Sequence, residues 1–194
     1  MREHHAVSAV LLICAAVPLL QGAAAERDIP YGDNVYVNCQ YRFAAQFPSP
    51  PTIRDISYTS GGRSVPARQF SSQRGADTFV VTIADFTNGP AVDEAIVESA
   101  AVPLRARGEV RFQFAENYDS GVPGRQLNVY LPGGRQLRAS IYMADRRLYI
   151  TEATAPVGDF FALQFEQSIS MIDANGTDLD KNVGAPSRQY VCSR

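Results

Sequence analysis

Histidine is almost missing from this 194-residue chain: there are two, His4 and His5, both in the opening stretch. Lysine is a single residue, Lys181, and cysteine occurs three times, at 14, 39 and 192. No excess of positive charge is present either, since eighteen basic residues face twenty acidic ones for a formal net charge of -2. A chain built to neutralise a nucleic-acid backbone shows the opposite imbalance, so nucleic acid is not an expected partner. No apolar run reaches the roughly 20 residues a membrane-spanning helix needs. Composition is otherwise ordinary for a globular domain, with 45% hydrophobic and 20% charged residues.

The longest apolar stretch, Ala6 to Leu20, follows a short polar start and is broken only by Ser8 and Pro18. Gln21-Gly22-Ala23-Ala24-Ala25 then supplies the small residues a signal peptidase requires, so residues 1–25 are expected to be a leader cleaved after Ala25. An uncleaved anchor is the alternative. Ile13 is too bulky before Cys14 for a lipoprotein site. Cleavage would remove both histidines and Cys14, leaving Cys39 and Cys192 as the only thiols. In an oxidising compartment such a pair forms a disulfide; two unpaired buried thiols are the bland alternative. The expected location is periplasmic or secreted, with no stable membrane insertion once the leader is gone.

Residues 26–194 are of a size for one domain. Alternating polarity predicts strands at Tyr41–Phe47, Ile53–Thr59, Val65–Ser71 and Asp77–Phe86, with Gly61-Gly62 as a turn. Asn88-Gly89-Pro90 signals a helix start, and Val92, Ile96, Val97, Ala100 and Ala101 recur at helical spacing until Pro103 ends or kinks it. A second meander follows: Val110, Phe112 and Phe114; Leu127 to Leu131; Leu137 to Met143; then Leu148 to about Ala153. The turns at Pro132-Gly133-Gly134 and Asp145-Arg146 are too short for anything but antiparallel neighbours. A last helix is predicted over 158–170, with Phe161, Phe165 and Ile169 on one stripe, before a polar tail over 173–194. The expected class is α+β: an antiparallel sheet of about six to eight strands packed with two main helices.

Phe47-Pro48, Gly121-Val122-Pro123-Gly124-Arg125, Arg146-Arg147-Leu148-Tyr149 and Phe165-Glu166-Gln167-Ser168 form a pattern over roughly Tyr41 to Ile172. It resembles the PsbP-like (Mog-type) domains, which include uncharacterised exported bacterial proteins. The resemblance implies an antiparallel sheet flanked by helices and a binding or accessory role. It implies no shared catalytic residues, and it does not extend to the disulfide or the tail.

Without a histidine in the mature chain, Ser-His-Asp and Cys-His machinery cannot be built, and histidine metal sites are excluded. A serine–lysine pair would depend on Lys181 in a loop. Glu116, Asp119, Asp145 and Glu152 are the remaining acid–base material, and a glycosidase would need two of them across a cleft. Asp173-Ala174-Asn175-Gly176-Thr177-Asp178-Leu179-Asp180 looks like a calcium loop, but its glycine falls fourth rather than sixth and no glutamate closes it, so a polar tail with an Asn-Gly turn is the better reading. No metal and no cofactor are expected.

One surface is a candidate binding face. If Leu137, Ala139 and Ile141 point to the core, Arg138, Ser140 and Tyr142 point away from it, with Asn128 and Tyr130 beside them and Tyr149 one strand further. Tyrosine and arginine anchor interfaces because they bury area and still hydrogen-bond. The other reading, which carries more weight, is that a helix covers this face and the tyrosines are core with their hydroxyls satisfied at the edge. The expected function is an exported, non-catalytic binding or accessory protein of the bacterial cell envelope, taking an unknown protein partner or a small envelope ligand. A carboxylate-dependent, carbohydrate-active hydrolase and a purely structural envelope component are the alternatives.

Overall fold

The computed structural model describes residues 29–31, 35–88, 93–118, 122–180 and 187–192. The expected leader, Asp119, Lys181 and the residues where the first helix was expected to start (89–92) lie outside them.

Seven strands form one antiparallel sheet: β4 (Thr52–Ser60), β5 (Arg63–Arg74), β6 (Asp77–Asp85), β7 (Glu109–Asn117), β8 (Pro123–Leu131), β9 (Arg135–Ala144) and β10 (Arg147–Pro156). Their spatial order is β4-β5-β6-β10-β9-β8-β7, so two meanders meet at the β6–β10 pair. A smaller sheet holds β1 (Ile29–Tyr31), β2 (Val35–Asn38), β3 (Phe43–Gln46) and β11 (Ser170–Met171), in the order β1-β2-β3-β11. The helices are α1 (Asp93–Arg105) and α2 (Phe160–Gln167). The α+β class and the strand count of the main sheet match the expectation. The predicted Tyr41–Phe47 strand, shortened to β3, belongs to the smaller sheet.

Other elements pack on both faces of the large sheet. On one, α1 buries Val97, Ala100, Ala101 and Leu104 against Leu127, Val129, Leu137, Ile141, Leu148 and Ile150. On the other, α2 and the smaller sheet close an aromatic layer. Phe43 meets Phe70 at 4.8 Å between ring centroids, and Phe165 meets Phe47 and Phe79 at 5.1 and 5.3 Å. Edge-to-face pairs of this kind add about 0.5–1.5 kcal/mol each beyond area burial.

Local chemistry sets the helix ends. Asp159 caps α2, its carboxylate accepting the Ala162 N–H at 2.8 Å. At the other end the Ser168 N–H turns back to the Phe165 carbonyl, so α2 is shorter than the predicted 158–170 and Ile169 lies past it. Pro103 neither ends α1 nor marks its last residue; the helix runs to Arg105. Pro103 is exposed near the end of the helix, where its missing N–H and ring cost less than in the middle.

The turn Asp145-Arg146 takes positive φ at both residues, 49° and 59°. That is the backbone a two-residue hairpin between right-twisted strands requires. Asp145 is held there by Arg42 at 2.8 Å.

Gly124 in β8 is present for space rather than for its φ. A Cβ at this position would overlap the Tyr142 ring and lie 2.6 Å from the Glu116 carbonyl oxygen. Gly124→Ala is expected to destabilise by about 1–3 kcal/mol, because the backbone oxygen cannot move aside. A urea titration comparing the two proteins checks it; an unchanged midpoint would mean the β7–β8 pair yields easily.

No helix among the described residues is long and apolar enough to cross a membrane.

Candidate functional site

Alternation along β9 does put Arg138, Ser140 and Tyr142 on one face, and cross-strand register sets Asn128 beside Arg138 and Gly124 beside Tyr142. α2 then lies across the middle of that face. Its Glu166 is fully buried, 3.0 Å from an Arg138 nitrogen, and the Ser140 hydroxyl is 3.0 Å from Glu166 Oε1 and 2.8 Å from its backbone carbonyl. Burial raises the Glu166 carboxyl above its ordinary value, and the Arg138 guanidinium opposes that rise.

The four residues expected to share a binding face are therefore divided. Tyr142 is 5% exposed and Tyr149 2% exposed. Tyr142 packs on the Tyr118 ring at 5.5 Å and donates to Glu116 at 3.2 Å, and burial pushes its phenol above the usual range. Tyr149 lies in the aromatic layer and donates to the Tyr41 carbonyl at 3.3 Å, and burial raises it to about 12. Both are core tyrosines and neither offers a surface. Period-two alternation assigns a face but cannot say what packs on it. Here the covering elements come from residues 35–47 and 160–171.

Tyr130 is half-buried toward the β7 edge, and Arg138, bound to Glu166 of α2, keeps 11% of its side chain exposed. Two residues outside the expected set join them. Phe112 and Phe114 project from β7 on the same side, 41% and 45% exposed, with their rings stacked 6.0 Å apart. The Arg138 guanidinium lies 5.5 Å from the Phe112 ring centre, and the Arg111 guanidinium 4.9 Å from that of Tyr130. Arg111 reaches Tyr130 because the β7–β8 register shifts between Val110 and Phe112.

Beneath these side chains is a buried polar floor of Gln126, Asn128 and Gln136. Asn128 donates to Gln136 at 3.1 Å, and Gln136 to the Pro156 carbonyl at 3.0 Å. Asn128 Oδ1 and Arg138 Nε are buried with no hydrogen-bond partner among the described residues. Such atoms are uncommon in folded proteins and costly where they occur. The result is an aromatic shelf with unsatisfied polar atoms under it.

A second feature lies on the same side of the large sheet, past the end of β7. A cavity of about 640 Å³ opens between the end of α2, the smaller sheet and the segment after Ile172. Tyr118, Gln164, Gln167, Asp178, Asp180 and Arg188 are among the residues lining it. The Tyr118 hydroxyl donates to Asp178 Oδ1 at 2.5 Å and accepts the Met171 N–H at 3.2 Å. Burial, then Asp178, raises this phenol far above its ordinary value.

The described part of the expected polar tail is packed rather than trailing. The Tyr190 N–H donates to the Gly176 carbonyl at 2.8 Å, and Tyr190 is buried with Val37, Ala44 and Ile172. A Cβ on Gly176 would overlap the Tyr190 carbonyl oxygen. Cys39 and Cys192 form a disulfide, with a Cα–Cα distance of 5.6 Å.

Of the carboxylates named as acid–base material, the three among the described residues do not converge. Glu116 accepts from Tyr142, Glu152 pairs with Arg107, and Asp145 sits in the β9–β10 turn with Arg42. In the loop that looked like a calcium site, Asp173 Oδ1 accepts the N–H groups of Asn175 at 2.7 Å and Thr177 at 2.9 Å. These bonds hold the carboxyl below its ordinary value and build a local turn. No group of three metal-ligating side chains occurs among the described residues.

No protein-family model matches the chain, and no curated protein matches it by sequence. Among solved structures it is similar to the solution structure of cyanobacterial PsbP (CyanoP) from Synechocystis sp. PCC 6803. The two are 13% identical with a TM-score of 0.48, over 71% of this chain and 91% of that one. It is also similar to a protein of unknown function from Pseudomonas aeruginosa, 18% identical with a TM-score of 0.32, over 60% of this chain and 78% of that one.

Proposed function

We propose that the protein is an exported, non-catalytic binding or accessory domain of the bacterial cell envelope. In this reading its leader is removed after Ala25, it works in the periplasm or outside the cell, and it docks a protein partner on the shelf formed by Phe112, Phe114, Tyr130 and Arg138. The observation that carries the proposal is the stacked Phe112–Phe114 pair, exposed on an edge strand beside buried polar atoms that lack partners. An edge strand leaves one row of backbone N–H and C=O groups unpaired, and apolar side chains along it attract another chain. Tyrosine and arginine over a desolvated floor are the residue types that dominate binding energy. The disulfide supports an oxidising location.

The test compares wild type with a Phe112→Ser/Phe114→Ser double variant in a crosslinking pull-down from the native envelope. Both side chains are substantially exposed, so the variant should melt like the wild type. A partner captured by the wild type and lost by the variant is the expected result. Equal capture by both, with the partner crosslinked elsewhere, would overturn the shelf as the docking site.

A further inference from the structure

The 640 Å³ cavity lies beyond the shelf, and nothing in the docking proposal uses it. Its size falls within the roughly 300–1,000 Å³ range of small-ligand sites. Its walls, however, are unlike the mostly apolar linings of such sites. Carboxylates (Asp178, Asp180), amides (Gln164, Gln167), hydroxyls (Tyr118, Tyr190) and one guanidinium (Arg188) all contribute.

Asp178 is the informative residue. It is 7% exposed, and its Oδ1 is fully occupied by the Tyr118 hydroxyl and the Asp180 N–H, at 2.5 and 2.9 Å. Asp178 lines the cavity as well, so a carboxylate borders that space. Arg188 lines the same cavity and feels the Asp178 charge, but its guanidinium donates to the Tyr190 hydroxyl at 3.1 Å and makes no direct ion pair with Asp178. Acceptor and donor therefore border one space without closing on each other. A cationic ligand would suit the two aspartates but meet Arg188, and an anion would suit Arg188 but meet the aspartates. A hydroxyl group donates and accepts at once, so it satisfies both. The side-chain amides of Gln164 and Gln167 likewise offer a donor and an acceptor each.

We infer that this cavity binds a small neutral polyhydroxylated ligand, a mono- or disaccharide, with Asp178 as the central acceptor. The walls are held in place for it. The segment carrying Asp178 and Arg188 is bridged at Thr177–Gln189 and tied to the body by the Cys39–Cys192 bond. Preorganisation of this kind lowers the ordering cost of binding.

The experiment titrates the disulfide-intact protein with glucose, galactose, N-acetylglucosamine, maltose and cellobiose, with spermidine and inorganic phosphate as charged probes. Amide shifts in two-dimensional NMR are the readout, including the side-chain amides of Gln164 and Gln167. Saturable shifts with at least one sugar, at a Kd of about 1 mM or tighter, are expected. Asp178→Asn should weaken that binding about tenfold or more, the size expected for one hydrogen bond to a charged acceptor. Gln164→Ala, at an exposed position on α2, should weaken it with no change in melting, so the inference does not depend on Asp178→Asn folding well. The Phe112→Ser/Phe114→Ser variant should bind the sugar normally, which separates this site from the shelf. Saturation by spermidine or phosphate alone, or by none of the probes, would overturn the saccharide assignment.

Discussion

Replacing both bridging cysteines, Cys39→Ser and Cys192→Ser, is expected to lower the unfolding free energy by about 2–5 kcal/mol. The two residues are 153 positions apart, so the bond closes nearly all of the described chain into one loop. Chain-entropy reasoning gives about 5 kcal/mol for a loop of that length, with any strain in the native state subtracting from it. The native contacts around the bridge survive its removal. Tyr190 stays buried against Val37, Ala44 and Ile172, and its N–H still bonds the Gly176 carbonyl at 2.8 Å. The loss thus falls chiefly on the unfolded state, which expands once it is no longer tied end to end. Urea titrations without reductant should show a lower midpoint and a steeper slope for the double variant, because more surface is exposed on unfolding. Hydrogen exchange should then show residues 187–192 opening before the large sheet, as their remaining anchor is one small apolar cluster. Identical midpoints would mean the bridge adds nothing, and the case for an oxidising location would lose its physical support.

The large sheet was legible because its strands are long and alternate. Phe79, Val81 and Ile83 in β6 and Leu137, Ala139 and Ile141 in β9 repeat with period two, and the β4–β5, β8–β9 and β9–β10 turns carry Gly-Gly or Asp-Arg pairs suited to antiparallel pairing. The smaller sheet was legible only at β3. The others span two to four residues, too few for a period to show, and β11 pairs with β3 only because the chain returns to it from far away.

The binding face illustrates the same limit. The sequence places Tyr142 and Tyr149 in a sheet, but their burial comes from α2 and from residues 35–47. No pattern local to β9 or β10 records those contacts. Phe112 and Phe114 mislead in the opposite sense. Their alternation with Gln113 is what a half-buried strand shows, yet β7 is an edge strand whose side chains are nearly all exposed. Position in a sheet is a property of topology, not of a nine-residue window. The cavity was the least visible feature of all. Asp178 and Arg188 meet through the bridge between Thr177 and Gln189. The one sequence signal pointing there was the pairing of Cys192 with Cys39, which requires the tail to come back.

Glu166→Ala is the second substitution expected to cost most, about 3–5 kcal/mol. The intact pair is itself a small difference of large terms, because bringing two charges under α2 is opposed by desolvation and repaid by their attraction. Removing one member is not a small change. Arg138, with only 11% of its side chain exposed, would be left beside a cavity, its Nε already without a partner, and the Ser140 hydroxyl would lose an acceptor. The double variant Arg138→Met/Glu166→Met should recover most of the loss, since an apolar pair of similar volume has no charge to desolvate. A Glu166→Ala cost under about 0.5 kcal/mol would mean that water already reaches the pair.

The pH dependence has a definite sign. The folded state raises the Glu166 carboxyl above 4.5, so between 4.5 and that raised value the folded protein holds a proton that the unfolded chain has released. More protons bound to the folded state means that stability falls as pH rises through this interval and is highest, as far as this group is concerned, below it. Glu166→Gln keeps the shape and loses the titration. The stability of wild type relative to Glu166→Gln should therefore decline as pH rises above 4.5. A difference that does not vary with pH would show that the carboxyl titrates alike in both states, and that the surroundings of Arg138 are wetter than a fully buried Glu166 implies.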